Sequence, residues 1–134
     1  MSRSGYSDDF DGWSTIRWRG AVEAALRGKR GQAFLVELRD ALDAMPVKEL
    51  IAHELVANGS FCTLGVVGQK RGIALSDIDS EDSDTVAQQF GIAPAMAKEI
   101  VFMNDESEWS DETPQQRWSR MRHWVKLQIK EKNT

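Results

Sequence analysis

Residues 83–102, SDTVAQQFGIAPAMAKEIVF, read as two short helices around a tight glycine turn, at the spacing used by helix-turn-helix units. Val86 and Ala87 pack the first helix, with alanine where the second helix crosses closely. Phe90 completes that packing, Gly91 takes the turn, and Ile92, Ala97 and Ile100 secure the second helix. The outer face of the second helix is then expected to present Ala93, Pro94, Ala95, Lys98, Glu99 and Phe102. Reading base edges depends on Arg, Lys, Asn or Gln, and phosphate contact depends on positive charge. One lysine beside Glu99, within the most acidic stretch of the chain, is poor equipment for that task. The pair therefore predicts a packing unit first and a DNA reader second.

Outward from this pair the remaining segments are also helical. Trp18, Val22, Ala25 and Leu26 fall on one stripe that Gly28 stops. Gly31 opens a second helix in which Phe34, Leu35, Leu38, Ala41, Leu42 and Met45 recur at three- and four-residue steps, and Pro46 ends it. Residues 47–57, VKELIAHELVA, predict a short third helix with Val47, Leu50, Ile51 and Leu55 inward, closed by Asn58-Gly59. Phe61 to Val67 fits a buried strand or a helix whose Gly65 and Gly68 let a neighbour approach. Helix is favoured, because a lone strand leaves its backbone groups unpaired.

Helices follow at about 84–90 and 94–104, and the last spans 114–131, where Thr113 caps, Pro114 takes the first position and Gln116 the capping-box position. The fold class is thus all-α: a compact bundle of six or seven short helices including the helix-turn-helix-like pair at 83–104. Residues 1–12, small, polar and acidic, read as a flexible N-terminal arm, and 13–134 as a single α-helical domain.

A chain of 134 residues can bury a core without metal or disulfide help, and its single cysteine, Cys62, forms no internal disulfide. No stretch approaches the roughly 18 apolar residues of a membrane span, so a soluble cytoplasmic protein is expected. The net charge of −4 is unevenly placed. Residues 1–50 carry 8 basic and 8 acidic groups, 51–112 carry 3 and 12, and 113–134 carry 6 and 1. Such separation predicts docking between segments or onto a charged partner.

Five acidic side chains, Asp77, Asp79, Glu81, Asp82 and Asp84, sit close together, but an EF-hand beginning at Asp77 would need glycine at Asp82 and glutamate at Gln88. They read as an acidic connector with helix-capping roles. Gly65 to Lys70 lacks the spacing of a phosphate loop, and His53-Glu54 lacks the second histidine of a zinc protease. Cys62 has no local basic activator and reads as a buried structural thiol. The sequence assigns no catalytic, cofactor-binding or metal-binding residue, and a non-enzymatic protein is expected.

Two candidate contact surfaces remain. Trp109 stands in an acidic loop without periodic partners, and tryptophan offers large contact area with few rotors. With Asp79, Glu81, Asp82, Glu106 and Glu108 it forms the candidate partner-binding set. Arg27, Lys29 and Arg30, with Lys98, form the candidate nucleic-acid set, and Arg17, Arg19, Trp13 and Trp18 lie close in sequence to the basic loop. The same cations could instead pair with the acidic middle of the chain or of a second copy, so a homodimer is an open alternative.

The succession SGYSDD, IRWRGAVEAALRGKRGQAFL, ALDAMP, LGVVGQKRGI, FGIAPAMAKEIVFMND and TPQQRWSRMRHWV resembles a group of small proteins encoded in bacteriophage and prophage genomes, over nearly the whole chain. The resemblance implies a bacterial cytoplasm during infection or lysogeny, and brings no catalytic or binding residues with it. Small acidic phage proteins commonly bind host machinery, including defence complexes. The leading expectation is a non-catalytic phage protein that modulates or inhibits a host macromolecular complex, in the manner of an anti-CRISPR. The alternative is a phage DNA-binding transcriptional regulator using the helix pair.

Overall fold

In the computed structural model, which describes residues 12–106 and 111–130, α1 (Gly12–Arg27) runs into α2 (Lys29–Asp43) with only Gly28 between them. After a non-helical stretch, β1 (Val56–Ala57) and β2 (Ser60–Phe61) make a small antiparallel hairpin, and α3 (Thr63–Arg71) follows at once. A 3-10 turn at Leu75–Asp77 leads to α4 (Ser83–Phe90), α5 (Pro94–Asp105) and α6 (Pro114–Gln128). The chain is therefore mostly helical, with six α-helices among the described residues. The flexible-arm reading of 1–12 lies outside the described residues apart from Gly12, which opens α1.

α2 is the central helix because its apolar period matches its surroundings: Phe34, Leu35, Leu38, Ala41 and Leu42 are all buried. It packs on α3 and α6, while α1 leans on both α2 and α5. The α4–α5 pair forms as its sequence predicts. Asp82 caps α4 by accepting from the Thr85 amide at 3.2 Å, and Gly91 ends it at φ 70°, a left-handed conformation that costs glycine little. Val86, Ala87, Phe90, Ile92, Ala97 and Ile100 are buried, and Phe90 meets Phe34 edge to face with centroids 6.2 Å apart. Burial of a phenylalanine side chain contributes roughly 1.5–3 kcal/mol.

Residues 47–57 correct the sequence expectation, since no helix forms there and Val47 is exposed instead of turned inward. The Leu50 amide donates to Pro114 O at 3.1 Å and the Ile51 amide to Phe61 O at 3.0 Å, so backbone groups that a helix would pair internally are paired across the fold. Asn58 and Gly59 both have positive φ, at 53° and 78°, which makes the Asn-Gly step a hairpin turn of the I′ kind rather than a helix stop. An eleven-residue segment ending in such a turn has little intrinsic reason to nucleate a helix.

For the ambiguous Phe61–Val67 stretch, the favoured helix is present from Thr63 onward, and Phe61 completes the hairpin. Gly65 explains itself sterically: a Cβ there would stand 2.0 Å from Leu55 O. Its absence lets α3 sit against the hairpin. No described helix is long and apolar enough to cross a membrane.

Candidate functional site

The outer face of α5 is not open. Arg19 Nη1 of α1 donates to Glu99 Oε1 at 3.1 Å, and Glu99 is only 5% exposed. Lys98 Nζ lies 5.2 Å from the centroid of the Trp18 ring, within cation–π range. This corrects the expected exposure of Glu99: a carboxylate is tolerated there because α1 supplies a cation as it covers the helix. Lys98 is correspondingly half-buried against α1 instead of standing clear on a reading surface.

The acidic connector, by contrast, faces outward. Asp77, Asp79, Glu81, Asp82 and Asp84 are all exposed. Its backbone is held by local bonds: Asp79 Oδ1 accepts from the Glu81 amide at 3.0 Å, Asp79 O accepts from the Asp82 amide at 3.1 Å, and Asp82 Oδ2 accepts from Thr85 Oγ1 at 2.8 Å. Bonds from the Thr85 hydroxyl and amide hold the Asp82 carboxyl below its ordinary range. The connector is thus a charged ridge leading into α4, in which Asp82 carries the predicted helix-capping role and Asp79 closes a local turn. Among the described residues no group of three or more His, Cys, Asp or Glu is placed to hold a metal ion.

Glu106 is exposed at the end of α5. Glu108 and Trp109 lie outside the described residues, as does the side chain of Trp13. What the structure does describe is how the flanks of that loop are secured. Asp105 Oδ1 accepts from the His53 amide at 3.0 Å and from Asn104 Nδ2 at 2.8 Å. On the far flank, Arg120 grips Glu112 with Nε to Oε2 at 2.6 Å and Nη2 to Oε1 at 2.9 Å, and Arg117 Nε stands 3.3 Å from Oε1.

The same two arginines close the C-terminal end of α5: Arg120 donates to the carbonyls of Met103 and Asn104, and Arg117 to those of Asn104 and Leu50. Cations suit the carbonyl end of a helix, where backbone acceptors are left over. Beneath them the buried Asn104 Oδ1 accepts from Thr63 N at 3.1 Å and Thr63 Oγ1 at 2.7 Å, while its Nδ2 donates to Ile51 O at 2.9 Å. This network, which takes Asp105 and Glu112 out of the acidic loop's exposed charge, is not among the sequence expectations. The available signal was Arg117 and Arg120, three residues apart on one helical face just after Glu112.

The basic candidates gather elsewhere. Arg17, Arg27, Lys29 and Arg30 are exposed, and Arg27 pairs with Glu23 at 3.0 Å on the same helix. The end of α6 docks beside them, with Lys130 Nζ donating to Arg27 O at 2.8 Å. Lys98, on α5, does not join this group in any described contact. Cys62 is buried and serves as the cap of α3, its Sγ accepting from the Gly65 amide at 3.4 Å, which fits the structural-thiol reading. Both histidines are exposed, and His53 Nδ1 stands 3.8 Å from Asp105 Oδ2. Trp124 is buried in the core and Trp118 packs partly buried against it, with Trp118 Nε1 donating to Leu42 O at 3.2 Å.

No protein-family model matches the chain, and neither the curated proteins nor the solved structures contain a match to it.

Proposed function

We propose that this chain is a non-catalytic binding protein that presents an acidic ridge, Asp77 to Asp84, to a basic surface on a macromolecular partner. The observation that carries this reading is the covering of α5 by α1 through Arg19–Glu99 and Lys98–Trp18, which leaves the connector ahead of α4 as the more accessible part of the helix pair. Exposed carboxylates of fixed geometry steer and orient a cationic partner. Glu106, Glu108 and Trp109 belong to the same proposal: Trp109 supplies an apolar anchor and the glutamates add charge, on a loop whose flanks Asp105 and Glu112 secure.

The resemblance to small phage-encoded proteins supports placing the activity in an infected or lysogenic bacterium, with a nucleic-acid-guided defence complex as the partner class. A negative ridge would act there by competing for a basic nucleic-acid channel. Affinity purification from such a host, with and without nuclease, tests the proposal. A protein partner that survives nuclease treatment is expected. Recovery of DNA without a stable protein partner would favour the regulator alternative instead.

A further inference from the structure

We infer that the α1–α2 junction and the end of α6 together form a second contact surface, cationic, that binds the phosphodiester backbone of a nucleic acid. This goes beyond the acidic-ridge reading and rests on different residues.

Two basic segments far apart in sequence are locked together here by one side chain. Gln32 Nε2 donates to Leu26 O at 2.7 Å and to Gln128 O at 3.0 Å, while its Oε1 accepts from the Lys130 amide at 2.8 Å. The glutamine thereby ties the end of α1 to the end of α6, and Lys130 Nζ reaches Arg27 O. Arg27, Lys29, Arg30 and Lys130 are all exposed around this clasp. Among the described residues Glu23 is the carboxylate that pairs within the group, through Arg27, and Lys29 and Arg30 have no acidic partner.

Like charges gathered on a pinned scaffold repel one another, a cost that an incoming polyanion relieves. The surroundings favour a phosphate chain over an acidic protein segment. Ala24, Gly28 and Ala33 are exposed between the cations and offer little apolar relief for anchoring a peptide, whereas phosphate contacts need only positive charge within reach. Binding of this kind is sequence-independent and releases counterions, so it weakens steeply with salt.

Fluorescence anisotropy with a labelled DNA duplex and, separately, a labelled single-stranded RNA tests the inference and distinguishes the two sources of phosphodiester. With four cations engaged on the duplex, log K should fall with log salt at a slope of about −3.6, a loss of about 150-fold between about 50 and 200 mM. Lys29→Ala/Arg30→Ala should cut the slope to about half. Gln32→Ala, which removes the tether on the Lys130 backbone without removing a charge, should weaken binding less, while Lys98→Ala should leave it unchanged. Circular dichroism of each variant checks that the substitution leaves the fold intact. No wild-type binding to either nucleic acid at low salt, an unchanged slope in Lys29→Ala/Arg30→Ala, a loss with Lys98→Ala, or equally tight binding of polyglutamate each overturns it.

Discussion

Arg19 Nη1 and Glu99 Oε1, eighty positions apart in sequence, meet at 3.1 Å and bind α1 across the face of α5 that a helix-turn-helix protein would turn toward DNA. Glu99 is almost wholly withdrawn from water while Arg19 stays about half exposed, so the pair is worth less than a fully buried one but more than a surface contact. Arg19→Ala should lower stability by about 1–2 kcal/mol in urea unfolding, because it removes a cation that bonds a desolvated carboxylate. Arg19→Ala/Glu99→Gln should recover part of that loss. A double variant that is simply additive would show that the two side chains do not couple.

Asn104 is the polar centre beneath the C-terminal end of α5. Asn104→Leu removes its bonds to Thr63 and Ile51 and strands buried partners, at a cost of about 2–4 kcal/mol. Thr63→Val deletes only the hydroxyl bond and should cost about 1 kcal/mol. Thermal unfolding of both variants checks the ranking.

Two glycines near the hairpin should respond differently to alanine. At Gly65 the new Cβ would collide with the Leu55 carbonyl, which is backbone and cannot swing aside, so Gly65→Ala should cost about 3 kcal/mol or abolish folding. At Gly59 there is open space and the penalty is conformational, about 1 kcal/mol from the positive φ. Equal losses in denaturant melts would argue against the close packing of α3 on the hairpin.

Acid sensitivity should follow two inter-helix ion pairs. Bidentate bonds from Arg71 hold the Glu37 carboxyl below its ordinary range, and bonds from Arg122 do the same for Asp43. Folded values depressed below the unfolded ones mean that this stabilisation is complete above the unfolded pKa, about 4, and is lost as pH falls through the folded values. Stability should therefore decline below about pH 4 in the wild type, and less steeply in Arg71→Ala/Arg122→Ala, whose carboxylates titrate near their ordinary values. Urea unfolding at several pH values between neutral and acid gives both slopes.

The helix pair at 83–102 was legible because its information is local: Asp82 caps, Gly91 turns, and the apolar period places Val86, Ala87 and Phe90 inward. Residues 47–57 were not, because Leu50, Ile51 and Leu55 suit a helix or an irregular packed strip equally. The choice was made by long-range backbone bonds to Phe61 and Pro114 that no local pattern encodes. The candidate surfaces divide in the same way. Exposure of the Asp77–Asp84 connector follows from its composition, whereas burial of Glu99, Asp105 and Glu112 depends on partners supplied by other segments. Gln32, which ties the two basic segments together, carries no local signal of that role, because its partners come from α1 and the end of α6.

The acidic ridge, rather than the covered helix α5, is the proposed contact with a protein. Asp79→Asn/Glu81→Gln/Asp84→Asn removes three negative charges, while the new amide at 79 still accepts the bond from the backbone at 81 and Asp82 stays in place as the cap of α4. The decisive measurement is nuclease-resistant co-purification of a host protein from infected bacteria by this variant and by wild type, at matched folding. A partner recovered with wild type and lost with the neutralised ridge is the expected result. Undiminished recovery by the variant, or recovery of nucleic acid alone by wild type, would contradict it.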